Sequence, residues 1–346
     1  AVHRILGGDR PAAELPEAWA GALRRLEGDL DGLLLGTHAE RADLAPADDP
    51  FLPANGASWA GYQLAARLSA LRVRLALAAG RPGQAARDCL DGLALGRDAA
   101  IAGGLVGRMV RSALMATVGP ACADAIPILP REERLAAAAR LRGIRDAVPG
   151  IDAMIREEAL QTQLLVYGSQ LDAGTRARLL ERPSAWARQS APAGWSSRLL
   201  NRAAWRGLRD AYDELVRRAA LDPAVRDGAF EALAAEYGAS WSPLTRMLAP
   251  LPRILASHGR RDDAAVLRLD LVVLAAAART QREDRGGWPE RLDGLAAAGL
   301  LSPEERRRLG AATLAAEGEG ELRVTVPLPA GGEGDPVEVR VRVRAP

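Results

Sequence analysis

From Trp59 to Arg285 the apolar residues of this chain keep returning at intervals of three and four, and only near Leu322 does the interval fall to two. The first spacing lays a stripe along an α-helix, and the second puts one face of a strand inward. A long run of one pattern and a short tail of the other constrain the fold more than any single motif does. The last long helix carries Leu267, Leu271, Leu274 and Ala278 on one face, with Val266 and Val273 beside it, and Gly286-Gly287 stops it. Asp262 or Asp263 is expected to cap its start, near Arg260. Pro289 suits the first turn of a short helix that Gly299 closes. Ser302-Pro303-Glu304-Glu305 has the spacing of a capping box, with Pro at the first helical position. Leu322, Val324, Val326 and Leu328 then alternate with polar residues, as do Val337, Val339, Val341 and Val343. The Gly-rich "PAGGEGD" between the two runs predicts an antiparallel hairpin, with Arg340, Arg342 and Arg344 on its outer face.

Upstream, a helix is expected over about Pro16 to Leu35, followed by a Pro- and Asp-rich loop. Leu64, Leu68, Leu71, Leu75 and Ala79 mark one helix, "GRPGQ" a turn, and Ala85, Cys89, Leu90 and Leu93 the return helix. This pair looks like a single tetratricopeptide-type hairpin, with no second copy in register. Gly103 and Gly107, four apart, predict a close backbone approach between helices. Further helices are expected over Arg131–Val148, Ile151–Gly168, Ala203–Ala220 and Asp227–Tyr237. Aromatic residues are only 4% of the chain, which weakens any case for extensive sheet. The expected fold is mainly α: an irregular helical bundle or short solenoid-like body of helical hairpins over residues 1–258. A small α+β module, helix-turn-helix plus β-hairpin, is expected to pack on it over residues 259–346.

All 46 basic residues are Arg, and 44 acidic residues leave a net charge of +2. So balanced a surface does not point to nucleic acid. The absence of Lys, with the Ala, Gly and Pro load, fits GC-rich codon usage better than a set of phosphate clamps. No window reaches the roughly 18 uncharged apolar residues of a membrane span. The opening "AVHRILGGDR" is read as a trimmed or processed N-terminus, consistent with a removed signal or anchor. Cys89 and Cys122 form no zinc pattern. Buried free thiols are the simpler reading, and a bridge stays open in an oxidising compartment.

Residues for chemistry are few. His3, His38 and His258 stand far apart without chelating spacing, so neither a metal nor a cofactor is expected. Asp210 and Asp213 share a helix face, and with Glu157 they are the candidate site of an all-α enzyme of isoprenoid type, which would need facing acidic helices around magnesium. Arg209, Arg217 and Arg218 nearby make a solvated charge network the simpler account. Neither a nucleophile elbow nor a phosphate loop is present. Trp186, Trp195 and Trp205 crowd one weakly patterned segment, read either as a loop pinned by Trp or as a partner-binding loop. Asp270, between Leu269 and Leu271, is taken to sit at the edge of its stripe; the alternative is a buried pair with an Arg of the body.

The turn after the long helix, Gly287-Trp288-Pro289 with Leu292 and Leu295, resembles over about 40 residues the segment that follows the long helix of type II secretion pseudopilins. Tyr is usual there in place of Trp288, and the Asp-Pro-Trp/Phe-Gly continuation is missing. The chain as a whole looks like a group of helical bacterial envelope proteins that carry no established activity. "LALAAGRPGQAARDCL", Leu199–Asn201 and "GASWSPLTRML" support that likeness. The resemblance implies a periplasmic or envelope location. Together these readings predict a non-catalytic scaffold or protein-interaction component with a protein or peptide partner. The alternatives are the acidic all-α enzyme and a cytosolic tetratricopeptide-like adaptor.

Overall fold

A computed structural model describes residues 2–7, 10–38, 56–102, 104–168, 195–241, 245–246, 248–317, 321–326 and 337–342. The chain is mainly helical, with a small antiparallel sheet near its C-terminus. After a short helix α1 (Val2–Gly7), α2 runs Glu17–Gly36 and turns Leu23, Leu30 and Leu34 inward. The expected hairpin is α3 (Gly56–Ala78) and α4 (Pro82–Ala102). Gly80 makes the turn at φ 69°, a conformation that an L side chain resists. The stripe read for α3 is too narrow. Leu64 is exposed and Leu75 half-buried, whereas Ala65, Ala66, Ala70 and Val73 join Leu68 and Leu71 inside. Helices α1, α2, α4 and α5 all border α3, so burial is not confined to one face.

Helix α5 (Gly104–Ala125) returns against α4, and the two make the most extensive contact among the described elements. A Cβ built on Gly107 would lie 1.9 Å from the Ala99 carbonyl oxygen, so only glycine permits this approach. Gly103 lies outside the described residues. The same pair of helices carries a disulfide between Cys89 and Cys122, with Cα atoms 5.5 Å apart and both residues fully buried. This corrects the free-thiol expectation. The spacing of 33 residues gave no hint of pairing, because the bridge depends on two helix backbones brought together by small residues.

Helices α6 (Arg131–Asp146), α7 (Ile151–Gly168), α8 (Trp195–Ala219) and α9 (Pro223–Ala239) continue the body. Helix α8 starts eight residues before the expected Ala203. Asp222 caps α9, its carboxylate accepting from the Ala224 N–H at 2.9 Å. The 36-residue α10 (Pro250–Arg285) does not begin at Asp262 or Asp263, which lie in mid-helix. The division drawn between residues 258 and 259 therefore falls within one continuous helix. Leu255 and Ala256 near its start belong to a smaller core with α7, α8 and α9. Its later residues, Ala265 to Ala278, belong to the larger core with α3 to α6.

Gly286, at φ 77°, ends α10, its N–H donating to the Arg282 carbonyl at 2.8 Å. Trp288 packs partly buried against the larger core under the Arg282 guanidinium, 4.6 Å from the ring centre. Pro289 precedes α11 (Leu292–Ala297) instead of opening it. Gly299, at φ 71°, follows α11, and Ser302 with Glu305 forms the expected capping box of α12 (Pro303–Arg308). Strands β1 (Thr313–Glu317), β2 (Glu321–Val326) and β3 (Val337–Arg342) lie in that order, antiparallel. The expected hairpin is β2–β3, with Val326 opposite Val337. Strand β1 is an addition: its sequence, Thr-Leu-Ala-Ala-Glu, lacks the alternation that marks the other two. Leu322, Val324 and Val326 are buried in the same core as Leu292, Leu295, Leu301 and Leu309. Each such side chain contributes roughly 1.5–3 kcal/mol by burial.

Candidate functional site

The charges inside this protein join helix to helix. Asp270 and Glu305 are both fully buried. Arg145 of α6 donates one guanidinium nitrogen to both, reaching Glu305 at 2.8 Å, and Arg308 of α12 binds Asp270 as well. Arg142 forks onto Glu305 at 2.8 and 3.1 Å and also donates to the Leu300 carbonyl at 2.9 Å. With the Ser302 N–H at 2.8 Å, four hydrogen bonds from three residues leave little of the Glu305 carboxylate unsatisfied. Burial pushes the Glu305 carboxyl up, but hydrogen bonds from Arg142, the Ser302 N–H and Arg145 outweigh it and hold it at about 2. Burial draws Arg145 down, yet Asp146, Glu305 and Asp270 leave it raised overall. Asp270 is thus a buried partner of Arg145 and Arg308, which corrects the stripe-edge reading.

The same device recurs along α10. Arg108 and Arg111 of α5 share Asp262, at 2.8 and 2.7 Å, and Arg108 also reaches the Pro149 and Gly150 carbonyls. Arg134, with no exposed surface, binds Thr280, Glu283 and the carbonyls of Pro127 and Leu129. Arg226 pairs with Asp263 and lies over Gly259, where a Cβ would sit 2.7 Å from its Nη2. Arg suits this work because its planar fork satisfies a carboxylate and carbonyls at once and stays charged when buried. The network clamps α12, and the sheet that follows it, to α6 and α10.

That clamp presents an open groove of about 550 Å³ at the C-terminal end. Glu290, Arg291, Asp293, Arg306 and Arg307 line it, together with Leu314 of β1. Arg306 meets Asp293 at 2.7 Å and Arg291 approaches the same carboxylate at 3.5 Å. All three side chains are at least half exposed, so these pairs contribute little to stability. Arg307 makes no ion pair among the described residues. Beside the groove, β1 is the edge of the sheet among the described residues, with Thr313, Ala315, Ala316 and Glu317 exposed.

The residues singled out from sequence lie elsewhere. Asp210 and Asp213 are exposed on α8, and Asp210 pairs with Arg209 at 3.0 Å. Glu157 is exposed on α7, although burial of part of the side chain, with Glu158 beside it, raises its carboxyl. Trp195 opens α8 and Trp205 lies further along it, while Trp186 and all three indole side chains fall outside what is described. His38 contacts Asp91 at 2.9 Å, and His258 lies half-buried in α10, where burial lowers its pKa. Among the described residues no cluster of His, Cys, Asp and Glu could hold a metal ion, and no helix is long and apolar enough to cross a membrane. The groove escaped sequence reading because Arg291, the residue before α11, and Arg306 and Arg307 of α12 come from separate segments that only the fold brings together. No family model matches this chain, and no curated protein or solved structure matches it either.

Proposed function

We propose that this protein is a non-catalytic protein-interaction component of the bacterial cell envelope. The observation that carries the interaction half is the edge of β1, unpaired among the described residues, beside an arginine-lined groove next to the ionic clamp. An unpaired row of backbone N–H and C=O groups is a ready template for another chain. Location is supported by the Cys89–Cys122 bridge, since such bonds persist in oxidising compartments and are rare in the cytosol. The bridge also favours this reading over a cytosolic tetratricopeptide-like adaptor. The exposed positions of Glu157, Asp210 and Asp213 give the isoprenoid-type alternative no enclosed site to build on.

The test is made in the native organism. Cells are treated with a thiol-alkylating reagent before lysis, fractionated, and cross-linked across the whole protein surface in parallel. The proposal expects both cysteines to resist alkylation even in denaturant until they are reduced, a periplasmic or envelope fraction, and a reproducible protein adduct. Reactive thiols in a cytoplasmic fraction, or a bound small molecule with no protein adduct, would contradict it.

A further inference from the structure

We infer that the β1 edge and the adjoining groove receive an extended acidic segment of a partner protein by strand addition. The inference deepens the interaction reading and rests on it. In an antiparallel sheet, alternate residues of an edge strand turn their N–H and C=O groups away from the neighbour. Strand β1 has β2 on one side and no strand on the other among the described residues. Natural edges are blunted by short length, charged side chains, Pro, a bulge or a covering element. Among the described residues strand β1 shows only two of these devices, its five-residue length and the terminal charge of Glu317: its register with β2 is unbroken from Thr313 to Glu317, and Ala315 and Ala316 present only methyl groups.

Charge selects the occupant. A strand laid along β1 would run past the groove that Leu314 and Ala312 border. Three arginines stand there against the carboxylates of Glu290 and Asp293, and Arg291 and Arg306 share one of the two. Carboxylates on alternate residues of an incoming strand would project to one side, toward Arg291, Arg306 and Arg307. A second copy of this chain fits less well. Its own β1 offers a single acid, Glu317, which Arg323 already engages.

The probe is a fluorescein-labelled heptapeptide alternating Val and Asp, titrated by fluorescence anisotropy at low salt against the full chain. Two N-methylated forms of it block alternate amides in opposite frames, and an Arg-for-Asp version serves as control. Saturable binding is expected, lost in one N-methyl frame and kept in the other, and absent for the Arg version. R306E/R307E should weaken binding by about tenfold or more. R291E, on a different element, should weaken it too, so a misfolded double variant does not decide the matter.

Binding that is equal in both N-methyl frames, indifferent to these arginines, or undetectable would overturn the inference. So would a dimer in sedimentation that dissociates on substitution at Ala316, because the edge would then serve self-association. A partner cross-linked to some other surface would defeat this inference and leave the interaction reading standing.

Discussion

Replacing Glu305 by Gln removes a buried charge while keeping the capping geometry, since Gln can accept and donate in the same box. In the folded protein the carboxyl sits at about 2, against an ordinary 4.5. Its folded pKa is depressed, so its contribution is complete above about pH 4.5 and disappears as pH falls through 2. A difference of that size corresponds to about 3 kcal/mol, of which roughly 2 kcal/mol is gone by pH 3. Discounting for solvent is small, because no part of Glu305 is exposed. At neutral pH the variant shows this same loss, about 3 kcal/mol, as Arg142 and Arg145 left facing a neutral amide. The assay is urea unfolding of both proteins at pH 7 and pH 3, followed by circular dichroism and Trp fluorescence to check that one transition is seen. Carboxylates outside the network titrate alike in both proteins and cancel in the difference, including Glu283, which Arg134 and Arg279 hold down against the effect of burial. The stability gap should narrow by roughly 2 kcal/mol between the two pH values. A gap that stays constant with pH would refute the claim that the buried arginines hold this carboxyl ionised.

Gly107→Ala should cost about 3 kcal/mol or more, read as a fall in Tm, because its methyl would enter the Ala99 carbonyl. Gly119→Ala in the same helix, with nothing within 4 Å of the new methyl, should be neutral or stabilise by about 0.5–1 kcal/mol. Replacing Cys89 and Cys122 by Ala releases a loop closed across 33 residues and should lower stability by about 3–4 kcal/mol, with the native protein showing no titratable thiol until it is unfolded and reduced. Leu295→Ala should destabilise by about 2–5 kcal/mol in urea, since that fully buried side chain joins α11 to the larger core.

What could be read from sequence was whatever depends on neighbours along the chain. The Gly286 stop, the Ser302–Glu305 box, the turn at Gly80 and the alternation of Leu322, Val324 and Val326 are local in origin, and all are present. Failures occurred where distant residues decide the outcome. Asp262 and Asp263 have the right chemistry for a cap, but Arg108, Arg111 and Arg226 draw them into the middle of a longer helix. Asp270 was readable as an anomaly among leucines, but its partners lie 125 and 38 residues away. The Cys pair and strand β1 depend in the same way on packing already formed. The candidate groove was the least legible of all, because exposed arginines in an arginine-rich chain carry no local signature. Many of the charges are exposed, yet Arg111, Arg134, Asp270 and Glu305 hold the interior together.

The account turns on that interior network making the helical body and the C-terminal sheet one cooperative unit. Native-state hydrogen exchange measures this directly, by comparing peptides that cover α12 and β2 with peptides that cover α5 and the middle of α10. The expected result is one shared opening free energy for all four segments, with Asp270→Asn lowering protection of α12 and β2 ahead of α5. Exchange of α12 and β2 at a far lower free energy than α5 in the unaltered protein, unaffected by Asp270→Asn, would contradict it.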